Sequence, residues 1–258
     1  MQVIELKQID HDIKLGMKCE YIEPNVTQDS IFMYEGEIIG FFIQDISKHS
    51  ETLSKLVAVA NNELMSDRVP KSTMKRSSGL HNSCAEVLQY STIIGAVPPK
   101  PHMRRAYPTI SSVHSVKSAQ TFIKSMMLVA LESEKLIEKY APEVYNKQLE
   151  VFKNVDDKWK LGNIFTSSIS NFNISANYHT DNANLKNCVN VIICKRKNSK
   201  GGCTTIPDYG TTVNSADNSM LVYPAWRNLH GVTPIIPLAP DGYRNTLVFY
   251  PLKAFLNK

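Results

Sequence analysis

Apolar residues recur along this chain at different spacings, and each spacing predicts a different kind of element. Residues 1–46 alternate apolar and polar positions in short stretches, "MQVIEL", "KCEYI" and "SIFMYEGEIIGFFIQDI", with Gly36 near a turn. A period of two puts successive side chains on opposite faces of a strand, so this part reads as an antiparallel strand group. In residues 50–65, Leu53, Leu56, Val57, Ala60 and Leu64 share one face at helical spacing, and Ser50 is positioned to cap the start. Residues 117–140 predict a longer helix with an apolar stripe of Phe122, Ile123, Met126, Met127, Ala130, Ile137 and Tyr140, ended before Pro142. The methionines read as core filling. A shorter helix is predicted over 142–153.

From residue 161 the pattern turns to strands: "NIFTSSISNFNISANYH", "NCVNVIICK", "CTTIPDYG", "NSMLVYP", "LHGVTPII" and "RNTLVFYPL". Turn signals at Gly201-Gly202, Pro207-Asp208 and Asp241-Gly242 separate them. Short strands at this spacing suggest a sandwich or barrel. Residues 67–116 keep neither period. "VPKSTMKRSSG" and "GAVPPKPHMRRAYP" are rich in proline, glycine, serine and cations, which predicts a long basic loop. The plan is one α+β unit over residues 1–258. It comprises an acidic strand and helix segment (1–66), the basic loop (67–116), supporting helices (117–155) and a β-rich core (160–258).

Composition narrows the class. With 258 residues and 43% hydrophobic content, the chain can bury a substantial core. No apolar run is long enough to span a membrane, and "MQVIELKQIDHD" lacks the build of a signal peptide. Five scattered cysteines without a Cys-x-x-Cys pair suit a reducing, intracellular compartment such as cytoplasm or nucleus. The net charge of +5 is unevenly distributed: −6 over residues 1–66 and +11 over the remainder. Residues 67–110 contain seven Lys or Arg and two acidic residues. A basic body can attract a polyanion to one face, and ordinary solvated surface is an equal reading of the charge alone.

The candidate chemistry lies in "ANYHTDNANL", where His179 and Asp181 stand two apart after a predicted strand. Alone, the pair reads equally as a metal clamp or as two polar residues at a strand end. A third residue, His230 in "WRNLHGVTPI", lies 51 positions on, and Arg244 follows in "GYRNTLVFY". Two imidazoles and one carboxylate on one face are the ligand set of Fe(II) sites that keep positions open for co-substrate and O2. Arginine grips a carboxylate bidentately, so Arg244 suits the distal carboxylate of 2-oxoglutarate. Thr246, two along the same predicted strand, shares its face and adds a hydroxyl.

The ordered set resembles the Fe(II)/2-oxoglutarate dioxygenases, whose core is a double-stranded β-helix, or jelly-roll. More narrowly, it resembles the branch containing the TET enzymes and the thymine-hydroxylating J-binding proteins. "FTSSISNFNISANYHTDNAN", the Gly201-Gly202 turn before "CTTIPDYG", and "LVYPAWRNLHGVTPI" carry that likeness, over roughly residues 160–252. The resemblance implies that His179, Asp181 and His230 ligate iron and that Arg244 and Thr246 anchor 2-oxoglutarate. It also implies a base-contacting side chain three residues after the metal aspartate, which here is Asn184. An amide there mildly favours thymine or leaves the base open.

The implied reaction couples decarboxylation of 2-oxoglutarate to hydroxylation of a pyrimidine 5-methyl group in DNA. Such a base has to be flipped out or already single-stranded. Lys71, Lys75, Arg76, Arg104 and Arg105, and the "KRKNSK" loop, are the phosphate candidates. Asn171 and Asn173 are candidate contacts to co-substrate or base. Tyr178, Tyr209 and Trp226 are aromatics near the site that read first as core. Two alternatives stand beside this reading. One keeps the chemistry but acts on a free base or nucleoside, RNA or a protein side chain. The other is a non-catalytic nucleic-acid-binding module on the same barrel.

Overall fold

The computed structural model describes residues 1–73, 88–100, 102 and 105–256. In chain order its elements are β1 (Gln2–Glu5), β2 (Ser30–Tyr34), β3 (Glu37–Ile43), α1 (Glu51–Met65), β4 (Ser72–Thr73), β5 (Tyr90–Val97), β6 (Thr109–Ile110), α2 (Gln120–Tyr140), α3 (Pro142–Phe152), β7 (Ser167–Phe172), β8 (Ala176–His179), β9 (Asn190–Lys197), β10 (Ser199–Gly201), β11 (Thr204–Ile206), β12 (Thr211–Val213), β13 (Ser219–Tyr223), β14 (His230–Val232), β15 (Ile235–Pro237) and β16 (Tyr243–Tyr250). The major sheet runs β1-β2-β3-β13-β9-β16-β7-β5-β4, with β6 added to β5. A four-stranded minor sheet runs β12-β11-β14-β8, and β10 pairs with β15. This is the α+β arrangement expected, with more of the described residues in strands than in helices.

Strand alternation gives the central strands two different faces. Val191 and Ile193 of β9, and Leu247 and Phe249 of β16, pack with Leu53, Val57, Phe122 and Met126 of α1 and α2 in the main core. The intervening residues, Asn190 and Ile192 of β9 and Arg244, Thr246, Val248 and Tyr250 of β16, line a cavity instead. The helices therefore back one face of the major sheet, and the cavity opens on the other. Each large apolar side chain buried this way contributes roughly 1.5–3 kcal/mol. Ser50 caps α1, its side chain accepting from the Leu53 N–H at 3.1 Å, which is worth about 1 kcal/mol.

The N-terminal strands depart from an antiparallel group. β2 and β3 are antiparallel, but β1 pairs with β2 in parallel. "KCEYI" is not a strand: residues 6–29 cross over as extended loop, and their backbone groups bond to β8 and β12 of the minor sheet. The loop expected over 67–116 also contains β5, eight residues long, antiparallel to β7 from Tyr90 to Gly95. The apolar run "YSTIIGAV" buries both faces, which outweighs the prolines on its C-terminal side. In α2, Met126 is fully buried, whereas Met127 is 44% exposed and falls outside the stripe. Among the described residues no helix is long and apolar enough to cross a membrane. The four cysteines described, Cys19, Cys188, Cys194 and Cys203, are all buried free thiols.

Candidate metal centre and co-substrate pocket

The minor sheet brings the two distant histidines together. His179 ends β8 and His230 begins β14; the two are register partners, with ring centroids 4.3 Å apart. Asp181 follows in the turn after β8, its backbone N–H donating to Ala225 O at 3.1 Å. One donor atom from each of His179, Asp181 and His230 lies within 4.8 Å of the others, the geometry of a group that can hold a metal ion.

Hydrogen bonds fix which atom each residue presents. Nδ1 of His179 lies 2.7 Å from Asn177 O, and Nδ1 of His230 lies 3.1 Å from Asn228 O. A carbonyl only accepts, so each Nδ1 carries the proton and each Nε2 presents its lone pair, as a metal requires. Oδ2 of Asp181 accepts from Asn190 Nδ2 at 3.0 Å and Asn184 Nδ2 at 3.3 Å. Its Oδ1 is left facing Nε2 of His179, 3.7 Å away. Burial, reinforced by His179, pushes the pKa of His230 down to about 4, with Asp181 opposing. His230 is therefore neutral near pH 7, the form that ligates.

On the opposite wall stands Arg244. Its side chain is buried, with Nη2 3.4 Å from Ser215 Oγ, and burial together with the like charge of Arg196 lowers its pKa. Its Nε is buried without a partner. A desolvated cation with unused donors is costly unless an anion completes it. Gly202, at φ +66°, makes the space: a Cβ there would meet Cδ of Arg244 and lie 2.7 Å from its Nε. These observations fit a dicarboxylate co-substrate. Thr246 and Asn171 are register partners on β16 and β7 and line the same cavity of about 520 Å³. Oδ1 of Asn171 is buried without a partner.

The remaining candidates separate. Asn173 does not line the cavity; at φ 54° it accepts from Arg244 N at 2.9 Å and donates its own N–H to Arg244 O at 2.8 Å, holding the start of β16. Asn184 does line the cavity, but its Nδ2 is engaged by Asp181 and, at 2.9 Å, by Asn190 Oδ1. Its N–H groups thus point into the carboxylate cluster. Arg105 donates to Pro98 O at 2.6 Å. Lys195 and Lys197 pair with Asp217 and Asp241, Arg196 with Ser215 O, and Lys200 lies over the Tyr21 ring. Lys75, Arg76 and Arg104 lie outside the described residues. Tyr178 and Tyr209 are buried, and Trp226 donates to Cys188 O.

Sequence reasoning missed Asn190 and the two carbonyls behind the histidines. Asn190 carries no motif of its own. The carbonyls belong to the backbone of Asn177 and Asn228, so side-chain identity gives no signal for them.

A jelly-roll with a His–Asp–His cluster facing a buried arginine defines the class of Fe(II)/2-oxoglutarate oxygenases. The chain belongs to the TET/JBP family, the oxygenase domain of the 2OGFeDO superfamily, whose model matches residues 97–253. That family uses Fe(II), 2-oxoglutarate and O2, and the protein is an oxidoreductase of this type. Among solved structures, NgTET1 in complex with 5mC DNA is similar, with a TM-score of 0.60 and 13% identity, over 96% of this chain and 85% of that one. A 2OG-Fe(II) oxygenase family oxidoreductase from Burkholderia pseudomallei matches at TM-score 0.49 and 11% identity, over 84% and 85%. OsALKBH1 matches at TM-score 0.44 and 13% identity, over 90% and 99%. No curated protein matches the sequence.

Proposed function

We propose that this oxygenase hydroxylates the 5-methyl group of a pyrimidine in DNA, thymine to 5-hydroxymethyluracil or 5-methylcytosine to 5-hydroxymethylcytosine. In this reading His179, Asp181 and His230 hold Fe(II), and Arg244 with Thr246 anchors 2-oxoglutarate. The observation that carries the site is one cavity with the three metal donors on one wall and an unneutralised, buried Arg244 on the other. Family membership and the likeness to NgTET1, captured with 5mC DNA, support the substrate class.

Bound Fe(II), 2-oxoglutarate and O2 supply the oxidising chemistry: the 2-oxo acid becomes succinate and CO2, and one oxygen atom enters the substrate C–H bond. The protein supplies position. Asn177 O and Asn228 O hold the two imidazole tautomers, and Asn190 and Asn184 hold Asp181 with Oδ1 inward. Arg244 provides a charged fork in the same cavity as that cluster, and Thr246 a hydroxyl on the same strand face. Ile174, Ile192, Val248 and Leu252 make the wall apolar, which excludes water from the reacting carbon. The cavity falls within the 300–1,000 Å³ or so usual for small-ligand sites, so one base has to leave the duplex to enter it. Phosphate contacts then fall to Lys75, Arg76, Arg104 and Arg105, and Asn171 offers an unused acceptor to co-substrate or base.

The test is to incubate the protein with Fe(II), 2-oxoglutarate, O2 and oligonucleotides containing thymine or 5-methylcytosine, then digest them and analyse the nucleosides by mass spectrometry. A hydroxymethyl base that depends on 2-oxoglutarate is expected. Succinate formed without any modified base would move the substrate to a free nucleoside, RNA or protein.

A further inference from the structure

Residues 6–29 pass along the minor sheet, outside the span matched by the family model. Two routes lead from this acidic segment to the histidines, each through intervening residues. Near its start, Ile9 N donates to Asp208 O at 2.9 Å, and Nε2 of His11 lies 2.8 Å from Oδ1 of Asp208. Ile13 N donates to Nδ1 of His11 at 3.2 Å, so Nε2 is the nitrogen that carries the proton and donates to Asp208. The other oxygen of Asp208 accepts from Asn228 Nδ2 at 2.6 Å. Asn228 in turn presents its carbonyl to Nδ1 of His230. Further along, Gly16 N donates to Tyr178 O at 2.7 Å and Tyr178 N to Met17 O at 2.9 Å, while Asn177 Nδ2 donates to Gly16 O at 3.2 Å. Asn177 O is the acceptor for His179.

We infer that Ile9–Met17 is a positioning strap for the metal ligands. It sets His230 through Asp208 and Asn228, and His179 through the backbone of β8. The inference rests on the proposed ligand set. Neither Asp208 nor His11 touches the metal or substrate; both act through another residue. The chain is nearly enclosed, with the His11 and Asp208 side chains 19% and 16% exposed, so solvent does not readily replace a lost partner. It is also polar at every step and fixed in donor sense: His11 and Asn228 both donate to Asp208, which therefore has to accept twice. An amide at position 208 cannot do that, because its nitrogen would face one of the two donors.

The decisive comparison is Asp208→Asn against Asp29→Asn. Asp29 lies in the same segment and makes an equivalent bond, Oδ2 to His49 Nε2 at 2.8 Å, but it leads to Tyr140 on α2, away from the cavity. Anaerobic Co(II) titration reads metal affinity and, through the visible absorption bands, ligand geometry, while thermal unfolding of the metal-free proteins reads stability. Outer-shell changes cost 10–100-fold in metal affinity. Asp208→Asn is expected to weaken Co(II) binding about tenfold and to alter the bands, and Asp29→Asn to leave both within about twofold of wild type at a similar loss of thermal stability. Wild-type Co(II) binding with an unchanged affinity and spectrum in Asp208→Asn overturns the strap alone. Equal weakening in both variants also overturns it, since that traces the effect to general stability. Failure of the wild-type protein to bind Co(II) overturns the ligand set, and the strap with it.

Discussion

His179 and His230 face each other across the β8–β14 ladder, 51 residues apart in the chain and 4.3 Å apart between ring centroids. One rung of sheet thus carries both imidazoles, and both Nδ1 atoms are held by carbonyls two residues upstream. Rigid strands, rather than loops, therefore set the spacing of these donors.

Replacing either histidine, or Asp181, with alanine removes one of three donors. Metal affinity should fall by more than the 10–100-fold or so usual for outer-shell changes, and turnover should disappear. Metal titration and succinate release check this. A His230→Ala protein that still binds metal as tightly as wild type would refute the ligation.

Asn190 and Asn184 share Oδ2 of Asp181. Asn190→Ala should weaken metal binding by roughly tenfold, since it frees the carboxylate to rotate. It should also cost about 1–3 kcal/mol of stability, because Asn184 Nδ2 loses its acceptor, Asn190 Oδ1, in a buried site. Asn184→Ala separates two roles. Loss of metal affinity, with an unchanged preference between thymine and 5-methylcytosine, is the outcome its hydrogen bonds imply. A changed base preference at unchanged metal affinity would restore it as a base contact.

The elements legible in the sequence were those with a strong period. The stripe of α1, its Ser50 cap and the strand run of β16 were read because local pattern and burial agree there. β5 escaped because "YSTIIGAV" sits between two basic, proline-rich stretches and has no alternation, both of its faces being covered. The parallel pairing of β1 with β2 is a long-range choice that no local spacing encodes. At the site, His179, Asp181, His230 and Arg244 were found by residue type and order. Asn190, Asp208 and the carbonyls of Asn177 and Asn228 were not, since their contribution is a partner fixed only by the fold.

Gly202 and Arg244 make a third prediction. Gly202→Ala adds a methyl group where the Arg244 side chain lies, at a positive φ that itself costs roughly 1–3 kcal/mol. The half-saturating concentration of 2-oxoglutarate should rise about tenfold, equivalent to about 1.4 kcal/mol, with metal affinity little changed. Arg244→Lys keeps the charge but loses the planar fork, and should raise it at least as much. Steady-state kinetics with varied 2-oxoglutarate decides; an unchanged half-saturation in Arg244→Lys would remove the arginine from co-substrate binding.

His114 predicts a pH dependence of stability away from the site. Its Nε2 accepts the Gly95 N–H at 2.9 Å, and burial pushes its pKa below the ordinary 6.5. The unfolded chain therefore binds a proton near pH 6.5 more readily than the folded one. The stabilisation is fully present above that pH and is lost as the pH falls through the depressed folded value. His114→Gln keeps an acceptor for Gly95 and removes the titration. Its stability should gain on wild type as the pH is lowered from 7 toward 5. Thermal unfolding across that range checks it, and parallel curves for the two proteins would exclude His114 as the cause.

The central claim is that one cavity holds Fe(II) on His179, Asp181 and His230 and 2-oxoglutarate against Arg244. The most direct measurement is the visible spectrum of the protein with Fe(II) and 2-oxoglutarate under anaerobic conditions. The account predicts a metal-to-ligand charge-transfer band that needs both additions and vanishes in His230→Ala. Absence of the band in the wild-type protein, or its persistence at full intensity in His230→Ala, would contradict it.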